Sequence, residues 1–386
     1  LFFLYSFLQV NVMTALSPEL FALLGGGTKL ALLSSFAFFA NVIFLLPAGV
    51  IVDRFSIRRV MLGALSIAVI GTLLFAFSPS FFVAGVGRFL TGIMIAFGLI
   101  ASLKLASIYL PAEKMAFASS LIITIGMLGG IIGQAPMSWL VSGLGWRSAL
   151  TVVAALGVLI GVILAMAIRK EQQKTLQESH HPLKGLYGAF KNPKNWLAGF
   201  FICLLNLPVA VFGALFGITY LMQVYGLVSM AAASIVSCLF LGMIVGSPLF
   251  GWVSDFIRGR RLLMLIGSVL CLFFVGIFLL IPHWSVGALH VLFFLIGFTS
   301  AAQVLGYPVV TENNPPHMVG SSLSLAAIIV MGGGYGLALP FFGWLIDLGS
   351  KSYSLSVAYQ RAFFVILIGI AISSVLAFFL RDKKST

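Results

Sequence analysis

Apolar runs of membrane-spanning length follow one another along the whole chain, divided by short polar or glycine-bearing breaks. A helix needs about 20 apolar residues to cross the hydrocarbon core of a bilayer. The pattern predicts twelve spans, at residues 1–23, 29–52, 60–78, 82–109, 116–142, 148–168, 196–225, 229–253, 262–281, 285–310, 321–346 and 359–380. Glycine punctuates many of them, as membrane helices tolerate and use for close packing. The longest polar stretch, 169–194, leaves six spans on either side. Within it Leu183, Leu186, Tyr187 and Phe190 fall at helical spacing beside Lys184 and Lys191. That predicts a short amphipathic helix on the inner membrane surface, with an unstructured linker as the alternative.

The two sets of spans echo each other. Gly49-Val50-Ile51-Val52-Asp53-Arg54-Phe55-Ser56-Ile57-Arg58-Arg59 joins the second span to the third. Gly251-Trp252-Val253-Ser254-Asp255-Phe256-Ile257-Arg258-Gly259-Arg260-Arg261 repeats its glycine, aspartate and last two arginines at an offset of 202. Gly129, Gly130 and Pro136 recur as Gly333, Gly334 and Pro340 at an offset of 204. Pro111 and Glu113 match Glu312 and Pro315 more loosely. The expected fold is therefore an all-α integral membrane protein, with twelve transmembrane helices in two six-helix pseudo-repeats. Its parts are a first bundle at 1–168, a cytoplasmic linker at 169–195, and a second bundle with a short tail at 196–386. Parallel repeats of this kind carry their site where the halves meet. The repeat also places the start of the first span about six residues before Leu1.

Composition sharpens this. Of 386 residues, 61% are hydrophobic and 8% charged, against about 25% charged in soluble domains. A globular core that apolar would leave no polar surface for water. The net charge of +13 does not indicate nucleic acid, because the basic residues sit in short loops. Sixteen fall on one side of the twelve-span layout and four, Lys29, Arg147, Lys351 and Arg361, on the other. Under the positive-inside rule both termini are cytoplasmic. Cys203, Cys238 and Cys271 lie inside apolar runs and read as small buried hydrophobes. No metal-ligand cluster, phosphate-cradling loop or cofactor motif stands out, so neither an enzyme nor a resident cofactor is expected.

At the first hinge, Gly49, Ile51, Asp53, Arg54, Phe55, Arg58 and Arg59 resemble the motif of the major facilitator superfamily, with Ser56 and Ile57 departing from it. Arg88 and Gly92 are similar to its fourth-helix arginine motif, and Gly145-Trp146-Arg147 to a frequent outer loop. Glu312-Asn313-Asn314-Pro315 is similar to bacterial uptake permeases for organic acids, amino acids and related solutes. The resemblance covers the whole chain. It implies alternating access in a bacterial inner membrane, and polar residues of helices 1, 5, 7 and 10 pointing to a central cavity. The family's antiporters place glycine directly before proline in helix 5. Here the run is Gly133-Gln134-Ala135-Pro136, which speaks against export. Helices 1 and 7 hold no arginine, which speaks against a phosphate substrate, and no carboxylate lies mid-span as in sugar symporters.

An ionised group within a span is costly and marks function by default. Arg88 and Lys104 are the two cations within helix 4. Lys104 offers a site for a substrate carboxylate, or snorkels to the interface. Arg88 offers a coupling group, or a packing hydrogen bond to backbone carbonyls. His290, with a reference pKa of about 6.5, suits a proton carrier; a structural role is its alternative. Tyr5, Gln9 and Asn11 of helix 1, Gln134 of helix 5, Asn206 and Tyr220 of helix 7, and Gln303 and Tyr307 of helix 10 supply neutral donors and acceptors. Each is a candidate substrate contact, with interhelical bonding the alternative. Asn206, Gly213 and Tyr220 stand seven residues apart, which predicts one stripe of an α-helix. Gly49, Asp53, Arg54, Arg58, Arg59 and Glu113, with Asp255, Arg260, Arg261 and Glu312 as their echoes, form a candidate gate. Asp53 would approach the positive end of helix 11, Arg58 or Arg59 would pair with Glu113, and Arg260 or Arg261 with Glu312.

These features predict a monomeric secondary transporter for a small anionic or zwitterionic organic solute, taken up with a proton. Drug or metabolite export by proton antiport, and a non-transporting membrane sensor, are the competing readings. The charge bias fixes a topology that labelling can check. A cysteine at Ser179 should react only from the cytoplasm and one at Ser350 only from outside. Modification of Ser179→Cys in intact cells by an impermeant reagent overturns that orientation.

Overall fold

The computed structural model describes residues 1–110, 115–168, 182–257, 259–281, 283–315 and 318–380; the side chains of Asp53, 115–120, 182–186 and Asp255 fall outside that description. The described residues are almost wholly helical, and form two compact units. The first comprises Leu1–Gly25 and Lys29–Glu178, the second Gly26–Thr28 and Ser179–Thr386.

The first unit holds α1 (Phe2–Leu24), most of α2 (Gly27–Arg54), α3 (Ile57–Ala76), α4 (Phe81–Tyr109), α5 (Met115–Ile132) and α6 (Ala135–Ala167). Local chemistry sets their ends. Gly25 takes the left-handed conformation (φ 69°) and returns its N–H to Phe21 O, closing α1 as a glycine cap does. Ser80 Oγ accepts from Val83 N and starts α4. Residues Leu121–Ala167 together make an apolar stretch of 47 residues. At about 1.5 Å per residue that is more than twice the ~30 Å hydrocarbon core. Gly145, at φ 77° and ψ 157°, breaks it into two spans.

The second unit holds α7 (Pro182–Lys191), α8 (Pro193–Leu205), α9 (Gly217–Tyr225), α10 (Ser229–Ile257), α11 (Arg261–Leu280), α12 (Val286–Ser300), α13 (Gly306–Glu312), α14 (Val319–Ile328), α15 (Ala338–Ser350) and α16 (Leu355–Phe379). Three predicted single spans are interrupted here. Between α8 and α9 lies a π-helical turn, Val209–Phe216, with a bend of 50°. A second π segment, Ile329–Leu337, separates α14 from α15, and a 3₁₀ turn, Ala301–Leu305, separates α12 from α13. Taking α8 and α9 as one bent span, and dividing at Gly145, the described helices give twelve crossings in two sets of six.

α7 falls where an amphipathic helix was expected, and it packs on α14: a Cβ on Gly188 would meet Met318 Cε at 2.5 Å. Asparagines tie this end of the unit together. Asn195 and Asn314 exchange amide hydrogen bonds at 3.2 and 2.6 Å, and Asn195 also donates to Ala189 O and Ser322 Oγ. Elsewhere in the unit, Asp347 accepts from Gly27 N at 2.6 Å and Thr28 N at 2.8 Å, one bond to each oxygen.

Glycine decides how closely the helices approach. A Cβ on Gly92 of α4 would strike Ala37 O of α2, and one on Gly297 of α12 would strike Leu239 O of α10. Ala37 and Leu239 stand 202 apart, so the sequence repeat is also a packing repeat. With no hydrophobic force between helices in lipid, such backbone contacts hold a bundle together. Gly92→Ala and Gly297→Ala should each destabilise their unit by about 1–3 kcal/mol, the usual cost of overpacking. Gly63 has nothing within 4 Å of its Cβ position, so Gly63→Ala should be neutral or slightly stabilising. Melting of the purified protein separates the cases; equal melting of all three variants contradicts the packing account.

Candidate functional site

Each unit buries one polar cluster that combines predicted residues from different helices. In the first, Gln9 of α1 donates from Nε2 to Tyr5 Oη at 3.0 Å and to Thr72 Oγ1 of α3 at 2.8 Å. Tyr5 donates to Val153 O of α6 at 3.2 Å. Arg88 of α4 reaches the same place, Nη1 donating to Gln9 O at 3.3 Å, with Cζ 6.0 Å from the Phe75 ring centroid. Its side chain is 0% exposed.

Arg88 is under-satisfied. Nε and Nη2 find no hydrogen-bond partner among the described residues. Those two nitrogens lie on one edge of the guanidinium plane, the edge that grips both oxygens of a carboxylate. A buried charge without compensating hydrogen bonds costs several kcal/mol.

In the second unit Gln303 donates from Nε2 to Asn206 Oδ1 at 3.0 Å, and Asn206 from Nδ2 to Tyr335 Oη at 3.0 Å. Asn206 caps α8 just before the first π segment, Gln303 lies in the 3₁₀ turn, and Tyr335 lies in the second π segment. Three helices therefore lose regularity around one chain of bonds. Irregular backbone at membrane depth is tolerated where it is buried in protein or lines a cavity, and π turns recur at functional sites. Tyr335 escaped the sequence reading, because a tyrosine after three glycines in an apolar run gives no periodic signal. Its bond to Asn206 is visible only in three dimensions, as is the packing of Gly333 and Gly334 on Cys203 Sγ at 3.4 Å from their Cβ positions.

Other candidates lie apart. Tyr220 is buried among Phe212, Phe278, Tyr359 and Phe363, in an aromatic core rather than beside Asn206. The π segment between them carries more residues per turn than an α-helix, so spacing by sevens no longer keeps one stripe. Asn11 is buried, bonded to Phe7 O, and packs against Gly133 rather than joining Gln9. Gln134 is buried at the break between α5 and α6. Tyr307 is half-buried on α13, one turn beyond Gln303. Lys104 is half-buried near the end of α4. His290 Nε2 lies 3.0 Å from Ser234 Oγ, and Nδ1 lies 2.8 Å from Val286 O.

Of the candidate gate, Arg260 and Glu312 form an ion pair at 2.7 Å, while Arg261 lies 4.4 Å over the Phe378 ring. Both partners of the pair are partly exposed, so it adds at most about 1 kcal/mol and serves to hold position. Arg54 and Arg59 are exposed and Arg58 half-buried. A Cβ on Gly49 would meet nothing within 4 Å among the described residues. Glu113 and the side chains of Asp53 and Asp255 lie outside the described residues. No group of three or more metal-ligating side chains occurs among the described residues.

The family model described as Major Facilitator Superfamily matches residues 1–329 and, in a second match, 209–386. The chain is 24% identical to the uncharacterized transporter YybO of Bacillus subtilis over 379 residues, covering 89% of this chain and 84% of that one. It is 24% identical to the gentisate transporter of Corynebacterium glutamicum over 313 residues, covering 77% and 68%. Among solved structures, a bacterial homolog of the human lysosomal transporter Spinster, in an inward-facing and occupied conformation, superposes with a TM-score of 0.78 at 18% identity, covering 98% of this chain and 94% of that one. That likeness shows the fold.

If Gln303, Asn206 and Tyr335 act as one chain of bonds, Asn206→Ala and Gln303→Ala should each destabilise the protein. The double variant should then lose less than the sum, with a coupling of about 0.5–3 kcal/mol. Strict additivity of the melting shifts shows that they act separately.

Proposed function

The chain belongs to the major facilitator superfamily, and from that premise we propose that it is a secondary transporter for a small organic carboxylate, working by alternating access. The observation that carries this reading is the buried edge of Arg88, with two donors in fork geometry and no partner among the described residues. A carboxylate offsets the desolvation of that cation by two charge-assisted hydrogen bonds. A cationic solute would meet repulsion there. The similarity to a gentisate transporter supports an aromatic acid within this class. Arg88 therefore takes the role that Lys104 was given from sequence, and Lys104 at the end of α4 attracts the anion toward the opening.

In this reading Tyr5, Gln9, Asn206, Gln303, Tyr307 and Tyr335 supply neutral hydrogen bonds to the solute. His290 carries the coupled proton for uptake. Asp53, Arg58, Arg59, Glu113, Asp255, Arg260 and Glu312 hold the cytoplasmic side shut and part when it opens. The protein acts as a monomer in a bacterial inner membrane, with both termini in the cytoplasm.

The physics gives an unusual pair of expectations. An unpaired buried charge is a burden, and replacing it with an apolar side chain of similar length is neutral or stabilising. Arg88→Met should therefore melt no lower than the native protein. It should lose the stabilisation that gentisate gives, which for the native protein reaches about 2.7 kcal/mol at a hundredfold excess over Kd. Arg88→Lys should recover only part of the response, since an ammonium lacks the planar fork. Melting with gentisate, benzoate and a neutral nucleoside reads all of this. A variant that melts far lower yet responds normally to carboxylates makes Arg88 a structural residue and removes the support for an anionic substrate.

A further inference from the structure

A cavity of about 260 Å³ opens in the second unit between Lys194, Leu197, Asn313, Phe379 and Leu380. None of its lining residues has a role in the transport reading. We propose that it binds the phosphodiester headgroup of an anionic membrane lipid, with Lys194 on the phosphate and the acyl chains running out over Phe379.

The polar side of the cavity is built rather than incidental. Lys194 Nζ donates to Asn313 Oδ1 at 2.9 Å, and Asn313 Nδ2 is in turn fixed on Val309 O at 2.8 Å. Asn192, which caps α8 by accepting from Lys194 N at 3.1 Å, also donates to Asn313 O and Asn314 Oδ1. The ammonium is thus held by a network that reaches Asn195 and Ser322. Among the described residues Asn313 Oδ1 is the acceptor that Lys194 meets, so two of its three hydrogens remain for a ligand. None of the five lining residues is acidic. The nearest carboxylate in sequence, Glu312, is held by Arg260 at 2.7 Å.

The other side is apolar. Leu197, Phe379 and Leu380 form it, and Phe379 is 63% exposed at the end of α16. A soluble phosphate gains nothing from such walls, whereas a lipid covers them with its chains. Aromatic and basic residues mark this end as interfacial. Lys191 lies 4.5 Å over the Tyr187 ring, Arg261 4.4 Å over Phe378, and Trp196 packs between Phe190 and Phe200. Beyond Leu380 the sequence continues as Arg381-Asp382-Lys383-Lys384, a run with three basic residues and one acidic. Basic pockets beside membrane helices take anionic headgroups, and each cation near the surface contributes about 1 kcal/mol.

The test uses the full-length chain, purified and delipidated in a non-ionic detergent, with no transport substrate present. Phosphatidylglycerol and phosphatidylcholine are added at matched concentrations, and retention is read by native mass spectrometry alongside melting. Phosphatidylglycerol should be retained and raise the melting temperature, phosphatidylcholine less so. Lys194→Gln should weaken phosphatidylglycerol about fivefold or more, and Lys194→Arg should keep it. Leu197→Glu, which leaves the asparagine network intact and adds a repelling charge to the wall, should weaken it as well. Millimolar inorganic phosphate alone should give no protection. Equal retention of the two lipids, or unchanged phosphatidylglycerol binding in both Lys194→Gln and Leu197→Glu, overturns the proposal. Protection by inorganic phosphate without lipid retention overturns it too, in favour of a soluble-anion site.

Discussion

A backbone inside a bilayer has no water to complete its hydrogen bonds, so every helix that crosses must satisfy its own N–H and C=O groups or find partners within the protein. That constraint explains where this molecule is regular and where it is not. The breaks at membrane depth coincide with buried polar side chains. Asn206, Gln303 and Tyr335 bond to one another where a π segment, a 3₁₀ turn and a second π segment come together. In the other unit, Gln9 ties three helices through Tyr5, Thr72 and Arg88. Arg88 is a charged side chain with two buried donors unmatched among the described residues. In the proposed reading those donors are what a substrate carboxylate would meet, since a fully satisfied arginine has nothing to offer a ligand.

Much of the fold was legible in the sequence because the bilayer leaves so few options. Apolar runs gave the twelve spans, and the hinge glycine and aspartate gave the repeat, which reappears as the matched backbone contacts of Gly92 on Ala37 and Gly297 on Leu239. The site was legible as a list of residue types and only partly as a geometry. Helical-wheel reasoning assumes 3.6 residues per turn, and Tyr5 and Gln9, four residues apart, do bond across one turn. It failed for Asn206 and Tyr220, because a π segment intervenes and shifts the phase, sending Tyr220 into the aromatic core. Thr72 and Tyr335 were invisible for a related reason. Each is one polar residue in an apolar helix, and its meaning comes from the neighbour it meets in space.

The charges tell a similar story. Sequence alone favoured Lys104 as the substrate cation of helix 4 and left Arg88 a coupling or packing role. Burial separates them, since Arg88 is 0% exposed and Lys104 is half-buried close to the end of α4. The same inventory of basic loop residues from which an orientation was expected also supplies Lys194, whose amide-fixed ammonium beside Phe379 and Leu380 suits a lipid headgroup in the proposed reading. In the proposed readings positive charge has three separate uses: a buried cation for a solute, loop cations for topology and gating, and an interfacial cation for lipid.

The central claim, that an organic carboxylate is moved and that Arg88 holds it, is tested most directly by counterflow. Purified protein in liposomes preloaded with unlabelled gentisate should accumulate labelled gentisate transiently, without any ion gradient, and the Arg88→Met protein should not. Counterflow of a neutral nucleoside with none of gentisate or benzoate, or gentisate counterflow undiminished by Arg88→Met, would contradict the account.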